Sequence, residues 1–261
     1  MLTWERTLQE ISNDQNFAIP FWESKTQCEP AICSEELLGV TKQVGGTVKS
    51  KYFDNWCVIC TSEQTHFSTK MCDPMNKKTG LERITEKEMV GKVRKQGYTM
   101  TFPTKEEVNF SLRFETFDLP PYGKESSCNS KNILKGYDST KTGYRLPNVH
   151  TLHNQVHIVV GGVMGDVPSA SNDLIFPLHH FFVDRIYEKW LRKFKKNASV
   201  LSSYDAPIGH NKDDVIVPIC PVYTHQQMFK KSFEFGYDYD DVDENGKYTL
   251  SFYMTFLYFF L

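Results

Sequence analysis

The sequence predicts a mainly α-helical fold braced by one irregular, cysteine-rich segment. Three observations carry this reading. Apolar residues recur at helical spacing in Met1, Trp4, Leu8 and Ile11, and again in Leu178, Phe182, Ile186 and Trp190. A period of three to four residues stacks such side chains on one helix face. Capping and turn residues stand where these stripes begin and end. Five of the seven cysteines (Cys28, Cys33, Cys57, Cys60 and Cys72) crowd into residues 28–72, leaving Cys128 and Cys220 outside. At 261 residues, 40% hydrophobic and 24% charged, the chain can bury a proper core as one large domain or two small ones. Its net charge of −2 spreads both signs along the sequence, which argues against a nucleic-acid surface.

The first helix starts without a cap and stops at Ser12-Asn13-Asp14. Glu5 and Arg6 interrupt this stretch, so it lacks the apolar run of about 7–15 residues that marks a signal peptide. Residues 23–80 form the cysteine-rich segment, whose spacings Cys28-x4-Cys33 and Cys57-x2-Cys60 fit disulfides or a zinc site. Two N-glycosylation sequons, Asn109-Phe-Ser and Asn197-Ala-Ser, point to a secretory compartment and favour disulfides. An odd cysteine count leaves one thiol free or paired outside the chain. His66 reads as an exposed loop residue.

Glu82 to Lys95 reads as a charged helix, and Phe102 to Glu107 as a turn, a Thr104 N-cap and an acidic first helical turn. The acidic run Asp238 to Glu244 lacks the spacing of a calcium loop and reads as a solvated turn. The tail at 250–261 is apolar but short of the roughly 20 residues that span a bilayer. The expected division is therefore a domain over 1–249 and then that tail.

The chemistry concentrates between His153 and Arg192. His153 and His157 are four apart, so on a helix they stand one turn above each other and can reach one metal ion. Gly161 and Gly162 suit a helix end, and the turn-rich Pro168 to Asp173 leads to a second helix near Leu174 carrying His179 and His180. Adjacent helical residues point about 100° apart, so only one of that pair joins the metal. Neutral imidazole suits both copper and zinc.

The run H-N-x-x-H (from His153), G-G-x-M, S-x-N-D-x-I-F-x-L-H-H-x-F-V-D-x-I and W-L-R closely resembles the second copper-binding motif of tyrosinases and tyrosinase-related proteins. The resemblance implies a type-3 copper helical bundle, present here in part, over 1–249, with the motif at 151–192. It implies ligands at His153, His157 and His180, copper as cofactor, phenols or catechols and dioxygen as substrates, and melanin-type pigment synthesis. It further implies Cys28–Cys33 and Cys60–Cys72 bridges and a secretory or melanosome-like location, with a membrane anchor an open question. His150 and His179 match no family ligand and read as structural or pocket-lining, and His210 reads as a core-supporting histidine.

The segment Trp4 to Trp22 resembles the stretch just C-terminal to the family's first copper motif, which places that motif's last histidine upstream of Met1. Asn132-Ile-Leu-Lys-Gly136 resembles an N-x-L-E-G pattern whose glutamate, together with the asparagine equivalent to Asn154, is implied to hold a water that helps deprotonate a phenol. Here Lys135 replaces that glutamate. An ammonium has no acceptor lone pair, so phenol hydroxylation is expected to be weaker than catechol oxidation. Asp184, one turn after His180, is expected to orient a ligand ring or to pair with Arg185 or Lys189. Three functions fit: a copper oxidoreductase lacking its first site in this chain, a mononuclear metal-binding remnant without oxidase activity, and a zinc-containing isomerase of the same family.

Overall fold

The structure, a computed structural model, describes residues 2–22, 32–39, 47–53, 56, 58, 81–83, 101–146, 150–216 and 221–247. Helices dominate the regular structure of these residues: α1 (Leu2–Ser12), α2 (Lys105–Ser111), α3 (Ser130–Lys135), α4 (Leu152–Val160), α5 (Ile175–Lys193) and α6 (His225–Met228). Extended pairing among them is confined to single bridges, Thr47 with Glu82, Asp138 with Arg145 and Val215 with Thr224. No helix among the described residues is long and apolar enough to cross a membrane.

Local chemistry sets the helix ends. Thr104 and Glu107 close a reciprocal capping box at the start of α2. Asn129 caps α3 by accepting from the Asn132 amide, and Gly136 ends it in the left-handed conformation. α4 stops at Gly161, and the chain then passes so close to Glu82 that a Cβ on Gly162 would lie 2.2 Å from the Glu82 carbonyl oxygen. Only glycine fits there. At the start of α5 the Asp173 carboxylate accepts from the Ile175 amide. Pro177 falls within the first turn, where an amide has no intrahelical partner to lose.

α5 is the spine. Phe182, Ile186, Trp190 and Leu191 pack with Val108, Leu112, Ile133, Leu152 and Phe229 in one core. Ile175 joins a second core with Trp22, Val156, Val160 and Met164. The expected stripe therefore divides: Leu178 packs on the second core while Phe182, Ile186 and Trp190 fill the first.

Several expectations need correction. The stripe that predicted α1 does not enter a core: Trp4 and Leu8 are exposed, and Ile11 is 77% exposed. Glu82 bridges Thr47 instead of opening a helix, while residues 84–95 lie outside the described residues. His210 is exposed and supports no core. Two cysteines agree with expectation: Cys33 is disulfide-bonded and Cys128 is a free thiol. The pairings expected of Cys28, Cys60 and Cys72, the position of His66 and the tail at 250–261 lie outside the described residues.

Candidate metal centre

α4 and α5 bring four of the eight histidines together. His153 and His157 stand one turn apart on α4, and their Nε2 atoms are 3.1 Å apart. The His157 Nε2 is also 3.2 Å from the His180 Nε2 across the gap to α5. Bare imidazole nitrogens at such distances repel one another, and a cation among them reverses the sign. Metal–imidazole bonds of about 2.0–2.1 Å place two nitrogens on a tetrahedral ion about 3.3 Å apart, close to the spacing found here. The trio fits a metal ion.

The outward nitrogens fix the rings. His157 Nδ1–H donates to the Met164 carbonyl at 2.8 Å, and His153 Nδ1–H donates to Asn154 Oδ1 at 2.9 Å. Each bond leaves Nε2 with its lone pair free for a metal. Phe176, one turn before His180, stacks on its ring with centroids 3.9 Å apart. Burial pushes the His153 pKa down to about 4 and that of His180 to about 3, and it lowers His157 as well. All three rings are therefore neutral near pH 7, the form that binds a metal.

His179 belongs to the same cluster but serves differently. It is 1% exposed, and its Nε2–H donates to the His153 carbonyl at 3.2 Å. Its ring lies nearly parallel to that of His153, with centroids 5.3 Å apart. His179 thus holds α5 against α4 beneath the trio. His150 is exposed.

A cavity of about 400 Å³ opens beside His153 and His180. Leu134, Val183, Ile186 and Tyr187 give it apolar walls, and Lys135 stands at its edge. Burial, then the charge of Lys131, holds the Lys135 pKa below the ordinary lysine value.

Asp184 corrects an expectation. It bonds neither a ligand ring nor Arg185 nor Lys189; it accepts the hydroxyls of Tyr237 at 2.8 Å and Tyr239 at 2.6 Å. Arg185 instead pairs with Asp241. Tyr237 and Tyr239 supply strong donors on a neighbouring segment, which outcompete lysine reaching along the same helix. Arg83 is a structural residue that no sequence motif marks, because its partners are distant in the chain. It forms a two-pronged pair with Asp173, both contacts 2.8 Å, and donates to the carbonyls of Leu38 and Gly39. The Phe176–His180 stack, by contrast, is encoded in a four-residue spacing.

The fold and site together define a helical protein whose candidate metal centre is a histidine cluster held between two helices. A family model described as the common central domain of tyrosinase matches residues 1–193. The chain belongs to the tyrosinase family. It is 32% identical over 247 residues to tyrosinase of Gallus gallus, covering 94% of this chain and 45% of that protein. It is 31% identical over 250 residues to tyrosinase of Canis lupus familiaris, covering 95% and 46%. It is 30% identical over 258 residues to 5,6-dihydroxyindole-2-carboxylic acid oxidase of Mus musculus, covering 96% and 46%. The chain thus spans less than half the length of these curated relatives.

Proposed function

We propose that this chain supplies one copper site of a tyrosinase-type oxidoreductase acting on phenols and catechols with dioxygen in melanin-type pigment synthesis, with His153, His157 and His180 as the copper ligands. One observation carries the reading: three imidazoles of a tyrosinase-family chain turn their Nε2 atoms to a common point. Copper bound there would supply the redox chemistry that lets dioxygen oxidise a phenol.

The chain's own residues arrange the reaction. Asn154 and the Met164 carbonyl hold two ligand rings in the tautomer that leaves Nε2 free. The apolar walls of the cavity take an aromatic ring and keep water from it. Lys135 at the rim lacks the acceptor needed to take a phenol's proton, so catechols, which ionise more readily, are the better substrates. Exposed Asn109 and Asn197 carry glycans in a secretory or melanosome-like compartment. Cys28–Cys33 and Cys60–Cys72 are the bridges that suit that compartment.

A single histidine cluster among the described residues favours a second reading, mononuclear metal binding without oxidation. Metal analysis of the purified chain combined with dioxygen uptake on catechol separates the two. Copper in the trio together with catechol oxidation supports the oxidoreductase. Copper without oxidation supports the second reading, and zinc in place of copper contradicts the oxidoreductase reading.

A further inference from the structure

The cavity beside His153 and His180 is apolar along its walls, yet two lysines of α3, Lys131 and Lys135, border it. They differ in their engagement. Lys131 pairs with Asp118 and donates to the Tyr122 carbonyl at 3.0 Å. Asp184, the carboxylate that also borders the cavity, is held by the Tyr237 and Tyr239 hydroxyls. Lys135 has no ion-pair partner among the described residues, and it ends α3 with its side chain in contact with solvent. A cation at the lip of an apolar slot is the arrangement that recognises an amphiphilic ligand, ring inward and anion outward.

We propose that Lys135 is a specificity-determining residue of this site, pairing with a carboxylate carried on the side chain of an aromatic substrate. The proposal rests on the tyrosinase-type function only for the word substrate; the binding preference itself needs no redox chemistry. The ring enters between Leu134, Val183 and Ile186, and the carboxylate stays at the rim, where pairing removes little water from either charge. A neutral analogue keeps the ring contacts and loses the ion pair. The same lysine that is ill suited to accept a phenol's proton is thereby suited to sort acids from their amides.

The test measures binding of 4-hydroxyphenylacetate and of 4-hydroxyphenylacetamide to the full chain by calorimetry, in wild type, Lys135→Gln and Lys135→Arg. The wild type is expected to favour the acid by about fivefold to tenfold, the range of a partly exposed charge-assisted contact. Lys135→Gln is expected to bind both probes alike with unchanged affinity for the amide, and Lys135→Arg to keep the preference. A preference that survives in Lys135→Gln overturns the proposal, as does equal or undetectable binding of both probes by the wild type. Copper content is measured on the same samples. Loss of copper with the acid preference intact would count against the oxidoreductase reading alone, whereas intact copper without the preference would count against Lys135 alone.

Discussion

Tyr239 donates its hydroxyl to Asp184 at 2.6 Å across 55 residues, fastening the segment after α6 to the helix that carries His180. The same hydroxyl lies 3.2 Å from the Phe181 carbonyl. Around it, Arg192 pairs with Glu188 and Asp238, and the Ser232 amide donates to Glu188 at 2.9 Å. The mouth of the site and the segment 232–239 are thus one packed unit.

Replacing Tyr239 with Phe removes the hydroxyl and leaves a half-buried carboxylate short of one donor. Hydrogen bonds to charged groups are worth about 1.5–3 kcal/mol, so urea unfolding should show a loss in that range. A change below about 0.5 kcal/mol would mean that Tyr237 alone satisfies Asp184.

Arg83 and Asp173 are both buried, with side chains 5% and 0% exposed. Removing one partner strands the other charge in the interior, which costs about 3–5 kcal/mol. Arg83→Met should therefore destabilise strongly, and Arg83→Met combined with Asp173→Leu should recover part of the loss. A double variant worse than the sum of the singles would contradict the pairing.

The helices near the site were legible because each wrote a complete local signature. The Thr104–Glu107 box, the glycines after Val160, and the four-residue spacing of His153 and His157 each encode an element within a few residues. Arg83 and Tyr239 were not legible in role, since their partners are set by packing between segments 90 and 55 residues apart. α1 was legible as a helix but not in its exposure, because periodicity reports which face is apolar and not what covers it.

Asp138 is fully buried, and among the described residues neither carboxylate oxygen has a hydrogen-bond partner within normal reach. Burial raises its pKa to about 6 from an ordinary 3.8, against the smaller opposing pull of the Cys128 backbone and Arg145. With the folded value above the unfolded one, the penalty of ionisation is absent below about pH 4, and stability is lost as pH rises to about 6. The full penalty, about 3 kcal/mol, holds above that. Asp138→Asn should raise the midpoint of unfolding at pH 7.5 and give little gain near pH 4. An equal gain at both pH values would rule out titration of Asp138 as the cause.

Lys135→Glu restores an acceptor at the cavity edge. In a protein assembled with a full copper pair, the ratio of phenol hydroxylation to catechol oxidation should rise severalfold, because general-base help acts on the phenol's proton. An unchanged ratio in a variant that still oxidises catechol would show that proton removal is handled elsewhere.

The central claim is that His153, His157 and His180 together hold copper. Copper titration of the whole chain, read by calorimetry and by the electron paramagnetic resonance of the bound ion, tests it most directly. Wild type should bind one copper at this trio with nitrogen hyperfine structure, and His157→Ala and His180→Ala should each lose that tight site while remaining folded. Tight copper binding with the same spectrum in both variants would contradict the account.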